Sequence, residues 1–149
     1  MNRREVVLAL LATGMASLPA LAQTERRVRR IGYLSLTNPQ TEAAWLAAFR
    51  AGMLELRWFE GRDYVMDARY ANGVAQALPG LAAELVASRP DLLLVPADQG
   101  ARLLAQGTKT IPIVFAVASD PVGSGIAASL RRPGGNATGM SSLASDLSA

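Results

Sequence analysis

The residues best suited to bind a ligand fall in three short segments, each of which follows an apolar run and precedes a helix-start signal. They are Ser35, Thr37 and Asn38 in the first segment, Pro96, Ala97, Asp98 and Gln99 in the second, and Ser119 and Asp120 in the third. Hydroxyl groups and the free backbone N–H groups at a helix N-terminus can donate hydrogen bonds to an anion such as a carboxylate. We therefore expect the loop backbone and the hydroxyls to contact a ligand, in preference to the acidic side chains.

The composition excludes the commonest classes of catalytic mechanism. The 149 residues include no His and no Cys. This absence excludes disulfides, thiol catalysis, zinc sites built on Cys and Ser-His-Asp catalysis, and it removes the commonest general base. We expect a protein that is not an enzyme, with no catalytic residue, no metal site and no cofactor.

The polar residues of these segments also have a purely structural interpretation. Asn38, Asp98 and Asp120 each stand at the start of a predicted helix, and all three residue types are good N-caps. Capping alone explains them, and it is the role that we expect for both acids.

Charge gives no indication of a nucleic-acid partner. Fifteen basic residues face twelve acidic ones. Six of the fourteen arginines lie near the N-terminus, namely Arg3, Arg4, Arg26, Arg27, Arg29 and Arg30. The rest of the chain is close to neutral, whereas a nucleic-acid-binding face needs basic residues spread along it with aromatic or groove-reading partners.

The first 22 residues are typical of an export signal. Arg3 and Arg4 form a charged start, residues 6–18 are apolar, and Ala20-Leu21-Ala22 is a cleavage site of the A-x-A type. An uncleaved membrane anchor is the alternative, but the apolar stretch is short for a membrane span. We expect a cleavable signal peptide over 1–22 that directs the protein to a bacterial periplasm by the Sec or the Tat route, followed by an Arg-rich tail over 23–29.

The rest of the chain alternates strand and helix patterns. Strands are predicted at 30–35, 63–70, 91–95, 111–117 and from Asn136, and helices at 39–57, 78–88, 99–106 and from Asp120 to a point before Pro133. The order βαβαβαβα(β) predicts right-handed crossovers and a parallel sheet with helices on both faces. The fold class is therefore α/β, a three-layer doubly wound parallel sheet. In such a sheet ligands bind outside the carboxyl ends of the strands, where all three polar segments would lie.

Two common nucleotide-binding motifs are absent from this sequence. Gly123-Ser124-Gly125 is not followed by the G-K-[ST] of a P-loop, and the first strand–helix turn lacks the G-x-G-x-x-G of a dinucleotide fold. An enzyme of flavodoxin-like shape would need an acid/base pair at the strand ends, and none is convincing here. A DNA-binding regulator would need a helix-turn-helix, whereas the N-terminus is typical of a signal peptide.

Several segments carry a resemblance to a known family. They are Arg30-Ile-Gly-Tyr-Leu-Ser35, Leu54-Glu-Leu-Arg-Trp-Phe-Glu-Gly-Arg-Asp-Tyr64, Leu81-Ala-Ala-Glu-Leu-Val86, Thr108-Lys-Thr-Ile-Pro-Ile-Val-Phe115, Asp120-Pro-Val-Gly-Ser-Gly125 and Ser129-Leu-Arg-Arg-Pro-Gly-Gly-Asn136. Over residues 30–145 the chain resembles the periplasmic substrate-binding proteins of ABC transporters, of the type linked to tryptophan, tyrosine or other small solutes.

The resemblance implies a periplasmic-binding-protein fold of type I, with two α/β lobes around a hinged cleft. Residues 30–140 would form the N-terminal lobe and residues 141–149 a truncated crossover, with the second lobe absent. The implied partners are a small, amino-acid-like, carboxylated solute and an ABC transporter permease. The implied ligand contacts come from the loops after the strands, at Ser35, the Pro96–Gln99 loop and the Ser119–Asp120 turn.

Two departures from the family pattern affect this expectation. Asp98 lies where the family often has a Thr/Gly/Ser-rich loop, and it would repel a ligand carboxylate unless it turns away to cap its helix. One lobe also provides only half of a cleft, which should bind weakly because both sides contribute enclosure and desolvation. The alternative is a truncated lobe that folds but does not bind ligand usefully.

Overall fold

The computed structural model describes residues 27–142. The predicted signal peptide, most of the predicted Arg-rich tail and most of the predicted crossover lie outside the described residues. The strands are β1 (Arg29–Ser35), β2 (Tyr64–Tyr70), β3 (Leu92–Val95), β4 (Ile113–Ala118) and β5 (Ala137–Ser141), and the helices are α1 (Pro39–Glu55), α2 (Leu78–Ala87) and α3 (Asp98–Gly107). A short 3-10 turn at Ala75–Ala77 leads into α2.

The described strands form one parallel sheet in the order β2-β1-β3-β4-β5. The order places β1, β3 and β4 side by side in the centre, and β2 and β5 at the edges. The predicted parallel α/β sheet is therefore confirmed. No helix in the described part of the chain has both the length and the apolar character that crossing a membrane requires.

Helix α1 begins where the sequence predicts. The side chain of Asn38 accepts a hydrogen bond from the Thr41 N–H at 2.9 Å, and Pro39 occupies the first turn. An Asn cap followed by Pro satisfies one free N–H and fixes the backbone at the first helical position. The helix ends near Leu56, beyond which Arg57 has a positive φ of 60°.

The helices cover opposite faces of the sheet. Helix α1 packs Leu46, with Trp45 and Phe49, against Ile31 and Tyr33 of β1. Helices α2 and α3 cover the other face with a second buried cluster, which includes Leu34, Leu85, Leu93, Leu104 and Ile113. This arrangement is the expected three-layer sandwich, and the two clusters together form the core.

Close helix–sheet packing explains Gly32 in β1. A Cβ atom built there would lie 3.0 Å from the side chains of both Leu85 and Leu93. A larger residue would press on both leucine side chains, so glycine suits the close packing of α2 on the sheet at this position.

The prediction of a fourth helix between Asp120 and Pro133 is wrong. Residues 121–131 form a series of turns in which Gly125 has a positive φ of 74°. Two glycines within five residues lower the helix propensity, and a residue with positive φ cannot continue a right-handed helix. The Asp120 carboxylate accepts from the Gly123 N–H at 2.7 Å and closes one of these turns, so it caps no helix. The fifth strand follows as predicted.

Candidate functional site

The three polar segments come together at the carboxyl edge of the sheet. Because β1, β3 and β4 are adjacent and parallel, their final residues end at the same side of the molecule. The Val117 N–H donates to the Pro96 carbonyl at 3.3 Å, which joins the ends of β4 and β3. The sheet thus places the sequence-predicted residues in one region.

A crevice is expected between β1 and β3. The connection after β1 leads into α1 on one face of the sheet, and the connection after β3 leads into α3 on the other. Loops that leave adjacent strands toward opposite faces create the switch point at which open α/β sheets bind ligands. The first and second polar segments would form the two sides of this crevice.

Glu42 joins the polar groups on the α1 side, and it is not among the residues predicted to bind a ligand. Its carboxylate accepts hydrogen bonds from the Ser35 hydroxyl at 2.6 Å, from the Tyr33 hydroxyl at 2.7 Å and from the Thr37 hydroxyl. Glu42 is only 8% exposed and Ser35 only 2%. Both predicted hydroxyl donors are thus already bound to a carboxylate, and their contact with a ligand stays a prediction.

The surroundings of Glu42 keep its carboxylate ionised. Burial alone would raise the pKa of Glu42, but hydrogen bonds from Ser35, Thr37 and Tyr33 together outweigh burial and lower it. Burial and the neighbouring Glu42 carboxylate raise the pKa of the Tyr33 hydroxyl far above its ordinary value, so Tyr33 remains a donor. A buried negative charge therefore persists at the end of β1 at neutral pH.

Asp98 does not cap α3 as the sequence predicts. The cap position belongs to Ala97, and Asp98 is the first residue of the helix. Its carboxylate instead accepts from the Ser119 N–H, at 3.1 and 3.3 Å for its two oxygens. The correction has a simple cause, because β3 and β4 are neighbours and bring the segment after β4 within reach of Asp98.

The N-terminus of α3 faces this edge without a side-chain cap among the described residues. Gln99 and Ala97 are exposed there, and Pro96 is half-buried. Free backbone N–H groups with the partial positive charge of a helix N-terminus are therefore present on the second side of the crevice.

The remaining predicted residues have local roles. Asn38 caps α1, as expected. Ser119 and Asp120 are exposed, and each takes part in a loop contact, Ser119 through its N–H and Asp120 through its carboxylate. In residues 27–142 no group of three or more acidic side chains could hold a metal ion.

A sequence signal for Glu42 does exist. Glu42 lies four residues before Leu46 and seven before Phe49, so it shares the apolar face of α1. An acid on the buried face of a helix, one turn from a strand end, is a stronger site indicator than an exposed acid because burying its charge is costly.

An apolar groove of about 370 Å³ lies at the opposite, amino edge of the sheet. Ile31, Met53, Leu56, Trp58 and Leu92 line it, with Arg29 and Asp91 at its margin. None of the predicted site residues borders this groove. The carboxyl edge remains the candidate site, because open α/β sheets bind ligands beyond the carboxyl ends of their strands.

A family model and a curated relative both indicate that this chain is similar to substrate-binding proteins. Residues 46–148, more than half of the chain, match the family model described as ABC transporter substrate binding protein. A curated relative, the tyrosine-binding protein of Clostridioides difficile strain R20291, is 30% identical over 82 residues, which are 55% of this chain and 24% of the relative.

Solved structures show the same fold. A conserved domain protein from Vibrio cholerae O1 matches with a TM-score of 0.71 and 30% identity, over 78% of this chain and 40% of that one. An ABC domain in complex with L-Trp from Streptococcus pneumoniae matches with a TM-score of 0.70 and 27% identity, over 77% and 39%. A ligand-free, open substrate-binding protein with adhesive properties from Clostridium difficile matches with a TM-score of 0.70 and 25% identity, over 76% and 39%.

The chain spans about a quarter of the curated relative and about two fifths of the solved structures. Its fold is the periplasmic-binding-protein-like α/β arrangement of those structures. On the family match over residues 46–148, the chain belongs to the ABC transporter substrate-binding protein family.

Proposed function

We propose that this protein is the solute-binding component of an ABC uptake transporter and captures a small, amino-acid-like, carboxylated solute in the periplasm. A membrane permease would then receive the solute. The observation that carries this proposal is the family match over residues 46–148. Two similar proteins, one named for tyrosine binding and one solved with L-Trp, support an amino-acid-like ligand.

The geometry of the carboxyl edge supports a carboxylated solute. The N-terminus of α3 presents backbone N–H groups and a partial positive charge, both of which favour a carboxylate. The nearby Asp98 carboxylate is bound to the Ser119 N–H, which offsets part of its repulsion of an anion. This lobe would provide one side of the cleft, and a second lobe would close over the solute.

Export to the periplasm is proposed from the N-terminal sequence. Residues 1–22 combine two arginines, an apolar run and an A-x-A site. Periplasmic location would place the solute-binding site on the side of the membrane where uptake begins.

Binding of carboxylated solutes by the purified mature protein tests the proposal. We expect saturable one-to-one binding by calorimetry of at least one member of a panel of L-amino acids and aromatic carboxylic acids. Gln99→Glu adds a negative charge in the exposed first turn of α3 and should weaken that binding by about tenfold, the effect of a charge placed beside a partly desolvated anion.

Gln106→Glu is the matched control, since it makes the same change in an exposed residue at the other end of α3. It should leave the affinity unchanged. A folded protein that binds no member of the panel would contradict the proposal and favour the alternative, a lobe that folds but does not bind ligand usefully.

A further inference from the structure

We infer that Glu42 binds the ammonium group of the solute, so that the site selects α-amino acids over carboxylic acids that lack an amine. The inference rests on the proposed function and deepens it. It starts from the hydrogen-bonded cluster at the end of β1, which consists of Glu42, Tyr33, Ser35 and Thr37.

The cluster contains a buried charge without a counter-charge. In residues 27–142 no Lys or Arg pairs with Glu42, and the groups that face it are the hydroxyls of Tyr33, Ser35 and Thr37 and the ring of Tyr70. By contrast, Asp67 pairs with Arg69, and Asp91 pairs with Arg27 and Arg29. The hydroxyl donors keep this carboxylate ionised, but they are neutral groups, so its full negative charge has no cationic partner in this part of the chain.

In the described part of the chain, the positive charge that the fold itself offers Glu42 is the partial charge at the N-terminus of α1, in whose first turn Glu42 lies. An apolar or amide side chain would pack on this face of α1 without the desolvation cost of a carboxylate. The negative charge is instead placed at the carboxyl edge, next to the switch point between β1 and β3. A cationic group that arrives with the ligand would supply the missing counter-charge.

Glu42 also has acceptor capacity left. One carboxylate oxygen accepts from both Ser35 and Thr37, whereas the other accepts from Tyr33 alone. Each carboxylate oxygen can accept two hydrogen bonds, so the oxygen bound to Tyr33 retains one position. An ammonium group, with three donors and a full positive charge, is the chemical partner that this position favours.

The two sides of the crevice then match the two charges of an amino acid. The α1 side carries the Glu42 carboxylate, and the α3 side carries the uncapped helix N-terminus. A zwitterion would place its ammonium on the first side and its carboxylate on the second. A simple carboxylic acid would satisfy only the second side and would leave Glu42 without a cation.

Paired probes that differ only in the amine test the inference. The pairs are L-tryptophan with 3-indolepropionate, and L-tyrosine with 3-(4-hydroxyphenyl)propionate, and calorimetry gives the affinity of the mature protein for each. We expect the amino acid of a pair to bind at least about tenfold more tightly than its deaminated analogue, the range expected for a hydrogen bond to a charged group.

Glu42→Gln should abolish that preference. It keeps the size of the side chain and one acceptor oxygen but removes the charge, so affinity for the amino acid should fall about tenfold while affinity for the deaminated analogue stays nearly constant. Glu55→Gln makes the same change in an exposed residue at the far end of α1 and should preserve the preference.

Three outcomes separate this inference from the proposed function. Equal affinity of the native protein for both members of a pair overturns the inference and leaves the solute-binding function intact, and this comparison holds even if Glu42→Gln fails to fold. The inference is also overturned if Glu42→Gln lowers the affinity for both members of a pair equally, since the role of Glu42 would then be structural. A native protein that binds no solute of either kind contradicts the proposed function itself.

Discussion

The carboxylates of Glu42 and Asp98, both at the carboxyl edge, accept hydrogen bonds from different kinds of donor. Glu42 is bound by hydroxyls from its own neighbourhood in the sequence, at Tyr33, Ser35 and Thr37. Asp98 is bound by the Ser119 N–H, which lies 21 residues further along the chain. The first contact fixes the loop after β1 against α1, and the second fixes the first residue of α3 against the loop after β4.

The Asp98–Ser119 contact leads to a prediction for the stability of the site loops. Asp98→Ala removes the acceptor of the Ser119 N–H and should lower the free energy of unfolding by about 1 kcal/mol, while Asp98→Asn, which keeps an acceptor oxygen, should lower it less. Hydrogen exchange measures the effect locally: the Ser119 amide should lose protection in Asp98→Ala, with little change in the first turn of α3.

The opposite pattern of exchange would restore the capping interpretation of Asp98. If protection were lost at Gly100 and Ala101 while Ser119 was unaffected, the carboxylate would be acting on its own helix.

The edge strand β5 shows how one residue decides the pairing of a whole element. Gly139 lies opposite Phe115 of β4 in the parallel register. A Cβ atom at Gly139 would lie 2.1 Å from the Phe115 carbonyl oxygen and 2.3 Å from an atom of its ring. Contacts that short cannot be relieved by a rotamer change alone, because one of the atoms belongs to the backbone.

Substitution of Gly139 should therefore detach β5. We expect Gly139→Ala to lower the free energy of unfolding by about 2 kcal/mol or more, through strain or through loss of β4–β5 pairing. Urea denaturation provides the measurement, and exchange of the β5 amides would locate the damage.

Gly135→Ala is the matched control for this prediction. A Cβ atom at Gly135 has no neighbour within 4 Å among the described residues, and its φ is not in the positive range that the structure records for Gly134. The control should leave stability within about 0.5 kcal/mol of the native value. Equal effects of the two substitutions would show that β5 does not need the close approach at Gly139.

The titration behaviour of the whole molecule follows from its composition. The sequence has no His and no Cys, so no side chain has an ordinary pKa between about 5 and 9. Hydrogen bonds lower the pKa of Glu42 despite its burial, and the backbone N–H of Arg30, with nearby arginines, lowers that of Asp91. Burial raises the pKa of Tyr33, Tyr64 and Tyr70.

The directions of these pKa shifts predict that stability is constant over a middle range of pH and falls at both acidic and alkaline pH. The lowered carboxyl pKa values stabilise the folded protein fully above the unfolded values of about 4.5 for Glu and 3.8 for Asp, and that contribution is lost as pH falls through the lower folded values. The raised tyrosine pKa values act in the other direction, so stability should decline as pH rises above 10.0.

Thermal unfolding measured from about pH 3 to pH 11 checks this prediction. Tm should be nearly constant between about pH 6 and pH 9. At acidic pH, Tm should fall less steeply with decreasing pH in Glu42→Gln than in the native protein, since one carboxyl group has been removed. A clear step in Tm near pH 7 would contradict the prediction, because no side chain of this chain titrates there at its ordinary pKa.

Local patterns in the sequence determined the elements and their order. Apolar runs, helical spacing and the Asn38-Pro39 start predict β1, α1 and the alternation that follows, and the structure confirms them. The pattern at 121–131 misled because Asp120-Pro121 is a helix-start signal, whereas Gly123 and Gly125 favour turns in the folded chain. Parallel strand order then made it possible to predict which loops would share an edge.

Tertiary structure alone decided what the polar side chains contact. Asp98 looked like a helix cap because sequence patterns register neighbours within a few residues, and Ser119 becomes its partner only through the pairing of β3 with β4. Glu42 is an acid in the first turn of α1, and only the packing of α1 on β1 buries it against Tyr33 and Ser35. Sequence periodicity specifies backbone and burial, but a hydrogen bond between distant residues exists only once the sheet and helices have brought its two atoms together.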